Sequence, residues 1–281
     1  MPDPRFLLTL PGAPRRLISR CAGALARTRL PLGVRRRLWP WLSRRLGIAA
    51  EDVPGEWGDY RSFLELFTRP LAADSRPLPN SSSWLSPADG ALVSVSPLCP
   101  EGTWLIKGCP YSTGELLPGA EPRRLAGYHA LQIYLAPRDY HRYHAPCDLT
   151  VESAWSGPGE LQPVDPALVR RSMRVLVTNR RVLLHCRDAQ GEWLGLLFVG
   201  ALNVGRMRFG FDRSLGAAPM SRGQRRYDPP VALAAGDELG LFELGSTVVL
   251  FAPPGLRPLV EVGGRTLART PLLAPEGATE H

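Results

Sequence analysis

The sequence predicts an α+β protein, with N-terminal amphipathic helices followed by a mainly antiparallel β domain. Three observations carry this. Between Pro4 and Ala50 there are 11 Arg and no acidic residue, and the apolar residues there recur at helical spacing. From Trp84 onward the pattern changes to short apolar or alternating runs closed by Gly, Pro and Asn. Gly (28) and Pro (29) are numerous enough among 281 residues for a loop-rich protein, yet stay below the roughly 25–30% of low-complexity chains.

The first helix is expected over residues 14–30, with Pro14 at the first helical position, where its missing N–H costs nothing. Leu17, Ile18, Cys21 and Leu25 fall on one face, and Arg15, Arg16, Arg20, Arg27 and Arg29 crowd the rest. In "LWPWLSRRLG", Pro40 can start a second helix that Gly47 stops, with Trp39, Leu42 and Leu46 aligned. Basic amphipathic helices bearing Trp suit an anionic membrane surface. They equally suit a helical hairpin packed on the body with a solvated Arg face. A nucleic-acid arm fits less well, because Arg alternates with Leu and Trp and no groove-reading motif follows.

Residues 49–58 read as a linker, and "YRSFLELFTRPL" as a helix with Phe63, Leu64 and Phe67 on one face, ended by Pro70. The polar, Pro- and Ser-rich stretch 72–83 divides the chain into a helical Arg-rich region, 1–75, and a β-rich region, 76–281. In the latter, strands are expected in "ALVSVS", "WLIKG", "ALQIYLAP", "LTVESAW", "MRVLVTN", "RVLLHC", "WLGLLFVGALNVGRMRFGF", "ELGLFELGSTVVLF" and "PLVEV".

The net charge is +8, but residues 1–50 alone carry +10, so the remaining 231 carry −2. The basic excess therefore describes a local surface. Lys107 is the only lysine, and nothing around it resembles a pyridoxal-phosphate site. Cys21, Cys99, Cys109, Cys147 and Cys186 are odd in number and widely spaced, which argues against a disulfide framework or a zinc site and reads as small buried apolar residues. No run of 18 uncharged apolar residues occurs, so no membrane-spanning helix is expected. The expected location is the membrane surface, peripheral and on the cytoplasmic side.

His141 and His144 stand out among five histidines, in "YLAPRDYHRYHAP" between Pro137 and Pro146. HxxH without a third ligand is a weak metal signal, and no metal is expected. His185 lies in an apolar strand and reads as a packed or edge residue. Asp89, in "SPADGALVSV", carries a strong local turn signal. "FELGSTVVLF" places Gly245 and Ser246 inside a late, apolar, strand-like segment. Asp89, His144 and Ser246 together suffice for a general base acting on a hydroxyl.

One use of these groups is a serine hydrolase acting on lipid esters, although the GxSxG elbow is absent. Another is attack on the chain's own backbone. Ser246 Oγ adds to the Gly245 carbonyl, the base takes the hydroxyl proton, and the amide becomes an ester. Loss of the Ser246 α-proton then expels the ester by β-elimination. The resulting dehydroalanine tautomerises to an imine and hydrolyses to a pyruvoyl group. A third alternative is a non-catalytic membrane-surface binding protein in which Gly245-Ser246 is an ordinary turn.

"LGST" near the C-terminus, with "PADG" and "PRDYHRYHAP" upstream, resembles the bacterial phosphatidylserine decarboxylase proenzymes. "YRSFLELFTRPL", Lys107-Gly108 and Tyr111-Ser112 of "KGCPYS", "FVGALNVG" and "GDELGLFELGSTVVLF" extend the likeness from about Tyr60 to Pro253. Ala136 departs from it, standing where the family often has Ser. The resemblance implies cleavage between Gly245 and Ser246 into a large chain, 1–245, and a small chain, 246–281, that stay associated. It implies that Ser246 becomes a covalent pyruvoyl group, forming a Schiff base with phosphatidylserine and yielding phosphatidylethanolamine and CO2. Asp89 and His144 would orient and supply the base, His144 would also return a proton, and His141 is a candidate contact to the substrate carboxylate or phosphate. The resemblance also points to a homodimer.

Overall fold

The computed structural model describes residues 15–72, 75–121, 124–167, 174–201, 206–217, 219–243 and 246–277. The chain begins with α1 (Arg15–Arg27) and α2 (Leu32–Leu46), followed by 3-10 turns at Ala50–Asp52 and Trp57–Asp59 in the expected linker, and α3 (Phe63–Phe67). Pro40 does not start the second helix but lies inside it. α2 begins at Leu32, directly after Pro31, and ends on Gly47 in the left-handed conformation (φ 78°). α3 is capped by Ser62, whose hydroxyl accepts from the Glu65 N–H.

These helices close over their own apolar cluster of Trp39, Ile48, Val53, Tyr60 and Leu66. Trp39 is thus a core residue, with its indole N–H donating to the Tyr60 carbonyl at 2.8 Å. α2 packs one face on the body and leaves Leu32, Val34 and Trp41 exposed beside its arginines.

Strands follow. The first five are β1 (Trp84–Leu85), β2 (Gly90–Pro97), β3 (Thr103–Ile106), β4 (Cys109–Ser112) and, after α4 (Thr113–Leu116), β5 (His129–Leu135). Next come β6 (Arg142–His144), β7 (Leu149–Gly157), α5 (Val175–Thr178), β8 (Arg181–Asp188), β9 (Trp193–Gly200) and β10 (Met207–Phe209). The last are β11 (Gly223–Leu233), β12 (Glu238–Phe242), β13 (Ser246–Ala252), β14 (Leu256–Pro258), β15 (Arg265–Thr266) and β16 (Pro271–Pro275).

Eight of these form one sheet in the order β11-β7-β8-β9-β13-β5-β2-β15, and every pairing in it is antiparallel. Smaller sheets, β1-β16-β14 and β10-β12-β6, and the β3-β4 hairpin complete the body. β13 lies in the middle of the large sheet and is buried along its whole length. Val248, Leu250 and Ala252 enter one core; Val249 and Phe251 enter a second. A strand covered on both faces reads as an unbroken apolar run, which is why "STVVLFA" shows no alternation.

Two expected strands are corrected. "MRVLVTN" contains helix α5 rather than a strand, with Val175 and Leu176 both buried. "PLVEV" reaches only Pro258 of β14 before the chain turns. Long strand β11 was absent from the expected set because "QRRYDPPVAL" carries charges and two prolines. It is the exposed edge of the sheet, where proline is tolerated and where charge discourages pairing with another chain. Cys109 and Cys186 are buried and no disulfide forms, but Cys99 and Cys147 are only half-buried and Cys21 is exposed, contrary to the reading of all five as buried.

Candidate active site

Ser246 opens β13 and pairs with Leu135 on one side and Gly200 on the other. It is fully buried, and its hydroxyl has no hydrogen-bond partner among the described residues. A buried hydroxyl left unpaired costs on the order of 1–3 kcal/mol; the hydroxyls of Ser43, Thr247 and Thr266 are also buried without a partner among the described residues. Gly245, the other half of the expected cleavage site, lies outside the described residues, as does His281.

Across the sheet, β2 pairs with β5 so that Ala91 faces Tyr134. Gly90 therefore lies nearly level with Ser246, two strands or about 10 Å away. Only glycine fits there, since a Cβ on Gly90 would stand 2.3 Å from the Tyr134 carbonyl oxygen. Asp89 immediately precedes it and is 1% exposed. Both its oxygens are taken by the Arg76 guanidinium, one at 2.9 Å, and it also accepts from the Ala268 N–H at 2.8 Å. Arg76 bonds Asp52 as well, at 3.2 Å. Burial pushes the Asp89 carboxyl up, while Arg76 and the Ala268 N–H pull it back. Arg76, penalised by the same burial, is nonetheless raised because Asp89 and Asp52 bond to it. Two groups that each hold the other's charge in place form an ion pair near neutral pH.

His144 ends β6, and its backbone N–H donates to the Pro87 carbonyl at 2.8 Å, in the corner that also carries Asp89. Its ring has other partners. Nδ1–H donates to the Gly236 carbonyl at 2.9 Å, so in the neutral ring Nε2 carries the lone pair and accepts from the Tyr140 hydroxyl at 3.0 Å. Burial lowers the His144 pKa, against the opposing hydrogen bond to Gly236, which keeps the ring neutral with its lone pair at Nε2. Tyr140 stacks on it at 5.7 Å, and Arg76 sits over the Tyr140 ring at 5.5 Å. Asp89, Arg76, Tyr140 and His144 are thus one connected group. Among the described residues, no direct hydrogen bond joins the side chains of Asp89, His144 and Ser246.

His141 is completely buried against Phe67, ring centroids 3.9 Å apart. Its Nδ1–H donates to the Asp139 carbonyl at 2.7 Å, and Nε2 has no partner among the described residues. Burial drives its pKa down to about 3, with nearby Arg69 adding to the effect. Arg69 is 1% exposed; its Nε donates to the Asp52 carbonyl at 2.9 Å and both terminal nitrogens lack partners among the described residues. His185 is the packed residue expected of it, bonded to the Pro118 carbonyl and to the Trp193 indole.

Arg76, Tyr140 and Arg69 are the residues that sequence reasoning missed. Tyr140 stands four residues before His144 inside the quoted histidine motif, and Arg69 inside "FTRPL", so the motifs contained both. Arg76 lies in a polar stretch with no local sign that it turns inward.

A sequence model of the family described as phosphatidylserine decarboxylase matches residues 63–274. The chain is 40% identical over 196 residues to the phosphatidylserine decarboxylase proenzyme of Helicobacter pylori, covering 69% of this chain and 73% of that one. It is 36% identical over 283 residues to that of an Anaeromyxobacter species, covering 97% and 99%. Against the Campylobacter jejuni proenzyme it is 40% identical over 205 residues, covering 70% and 76%. The family match, at 63–274, spans the Asp89 corner, the histidine motif and the central strand alike, and the chain belongs to the phosphatidylserine decarboxylase family.

Proposed function

We propose that the chain is a self-cleaving proenzyme that becomes a pyruvoyl-dependent decarboxylase converting phosphatidylserine to phosphatidylethanolamine and CO2. The observation that carries this is the buried, unpartnered Ser246 hydroxyl at the head of the central strand. A hydroxyl that attacks its own chain must be free and dry, and among the buried unpartnered hydroxyls this one stands at the motif-bearing head of the central strand. Its proton passes to His144 Nε2, with the Tyr140 hydroxyl as the adjoining carrier. The C–N bond before Ser246 breaks as the amine takes a proton, and the ester forms at Oγ. Removal of the Ser246 α-proton expels the residue 245 carboxylate, and water replaces the nitrogen as ammonia. The pyruvoyl group so formed supplies a ketone able to accept the electron pair released with CO2.

The other side chains divide the substrate between them. Arg69 offers two buried donors suited to the carboxylate or phosphate of an anionic headgroup. His141, neutral with its lone pair at Nε2, offers an acceptor, which suits the substrate's amino group better than either anion. Asp89 and Arg76 hold the corner that sets His144, and His144 returns the proton after decarboxylation.

Intact mass under denaturing conditions tests this. Two chains are expected, the smaller being residues 246–281 with a blocked N-terminus, whereas an active wild-type protein remaining whole at 30.8 kDa would overturn the reading. A serine hydrolase would stay whole and react with serine-directed phosphonates; a binding protein would stay whole and unreactive.

The exposed face of α2, with Leu32, Val34 and Trp41 beside Arg35–Arg37 and Arg44–Arg45, is proposed as the surface that rests on an anionic bilayer. No helix among the described residues is long and apolar enough to cross a membrane. Deleting the whole N-terminal segment would also remove core residue Trp39, so point changes are the cleaner test. A Val34→Ser, Trp41→Ser double variant is expected to lose about tenfold or more in affinity for phosphatidylglycerol-containing vesicles, with unchanged circular dichroism. Undiminished sedimentation with vesicles would move the contact elsewhere.

A further inference from the structure

Glu243 is a charge in a place that should not tolerate one. It follows β12, stands three residues before Ser246, and is 2% exposed. An isolated buried carboxylate is strongly disfavoured, so it must be paired. Two arginines from distant parts of the chain do this. Arg208 of β10 reaches one carboxylate oxygen with Nε at 2.9 Å and a terminal nitrogen at 2.6 Å. Arg27, in the last turn of α1, takes the other oxygen, while its second terminal nitrogen donates to its own helix at the Gly23 carbonyl, 3.0 Å away. The Glu243 N–H donates to the Arg206 carbonyl at 3.2 Å.

We propose that this clamp positions the chain for self-cleavage, and that through Arg27 it makes cleavage depend on the seating of the N-terminal helix. The inference rests on the self-cleavage reading above. Attack of an oxygen on the carbonyl one residue before it requires an approach of about 3–3.5 Å along a defined direction. On one side of the cut, Ser246 is fixed by β-ladders to both neighbouring strands. On the other, Glu243 is the last described residue, and the two arginines fix it. Both flanks of the short segment between are therefore held. Glu243 touches no reacting atom, so it is a positioning residue. Arg27 ties α1 to the segment about to be cut, so a chain whose helix is not docked lacks half of its clamp.

The test is the rate at which chain 1–245 appears after timed cell-free synthesis, read by denaturing electrophoresis, with turnover per cleaved chain measured separately on detergent-solubilised phosphatidylserine. Glu243→Gln is expected to slow cleavage about tenfold or more and Arg27→Ala several-fold, with Arg27→Lys recovering to within about twofold. Turnover per cleaved chain is expected to stay at the wild-type value, which general damage to the fold would not allow. Because the Arg27 side chain is 42% exposed, its replacement tests the idea even if Glu243→Gln fails to fold. Cleavage of Arg27→Ala within twofold of wild type, or a parallel fall in turnover per cleaved chain, overturns the proposal. A wild-type chain that never cleaves would instead remove the reading on which it rests.

Discussion

Replacing His144 by alanine is expected to slow self-cleavage by about 10²–10⁴-fold, the range over which a positioned general base contributes. The side chain leaves a polar cavity between the Gly236 carbonyl and the Tyr140 hydroxyl, which a water can bridge, so the fold should survive and the protein accumulate uncut. Tyr140→Phe, which keeps the stacked ring and removes only the adjoining hydroxyl, should slow cleavage less. The pH profile gives a second reading. Burial lowers the His144 pKa, so the neutral, basic form persists below the ordinary histidine value near 6.5. Cleavage is therefore expected to stay level as pH falls through 6.5 and to decline only at lower pH. A His144→Ala chain that cuts itself at the wild-type rate, timed by denaturing electrophoresis, would take the base role from this residue.

The second large effect concerns stability. Arg76→Ala strips a 1%-exposed Asp89 of its bidentate partner, and breaking a buried pair from one side typically costs about 3–5 kcal/mol. Chemical denaturation at pH 7 should show that loss, and Arg76→Ala combined with Asp89→Asn should recover part of it by removing the orphaned charge. The pH dependence has a definite sign. Burial already holds the Asp89 carboxyl above its ordinary value with Arg76 in place, and losing Arg76 raises it further, so the folded variant binds the proton more tightly than folded wild type. The deficit relative to wild type is then greatest at neutral pH and shrinks as pH falls toward 4. A deficit that grows on acidification, or one below about 1 kcal/mol at pH 7, would show that the pair is not what holds this corner.

How far the sequence carries depends on whether a residue's partner is local. The alternating "ALVSVS" and the unbroken "STVVLF" translate directly into a partly covered strand and a central one, because side-chain period and two-sided burial are written in the residues themselves. "MRVLVTN" misleads because Val and Thr favour strands, whereas Val175 and Leu176 are committed to two different cores through a single helical turn. Pro40 misleads because proline is a start signal in the first turn and merely a tolerated interruption inside α2. The candidate site divides in the same way. Asp89, His144 and Ser246 could be chosen by chemistry and motif. Arg76 could not, because its partner Asp89 is 13 residues away across a stretch with no periodicity. Glu243 was legible in principle, as a lone acid in an apolar run, but its partners 216 and 35 residues away were not.

The position of β13 bears on how long a chain cut before it would last. If the chain is cut before Ser246, as proposed, the small chain would begin with a strand held between β5 and β9 and buried against both cores. Pulling it out would open both cores at once, so exchange with another copy requires global unfolding. Unfolding, in turn, converts a step that was intramolecular at first folding into an encounter between two separate chains, and the severed peptide bond is not remade. An uncut precursor could equilibrate between folded and unfolded states; a two-chain form would leave that equilibrium. Its durability is set by how slowly it unfolds, a kinetic barrier rather than a folding free energy.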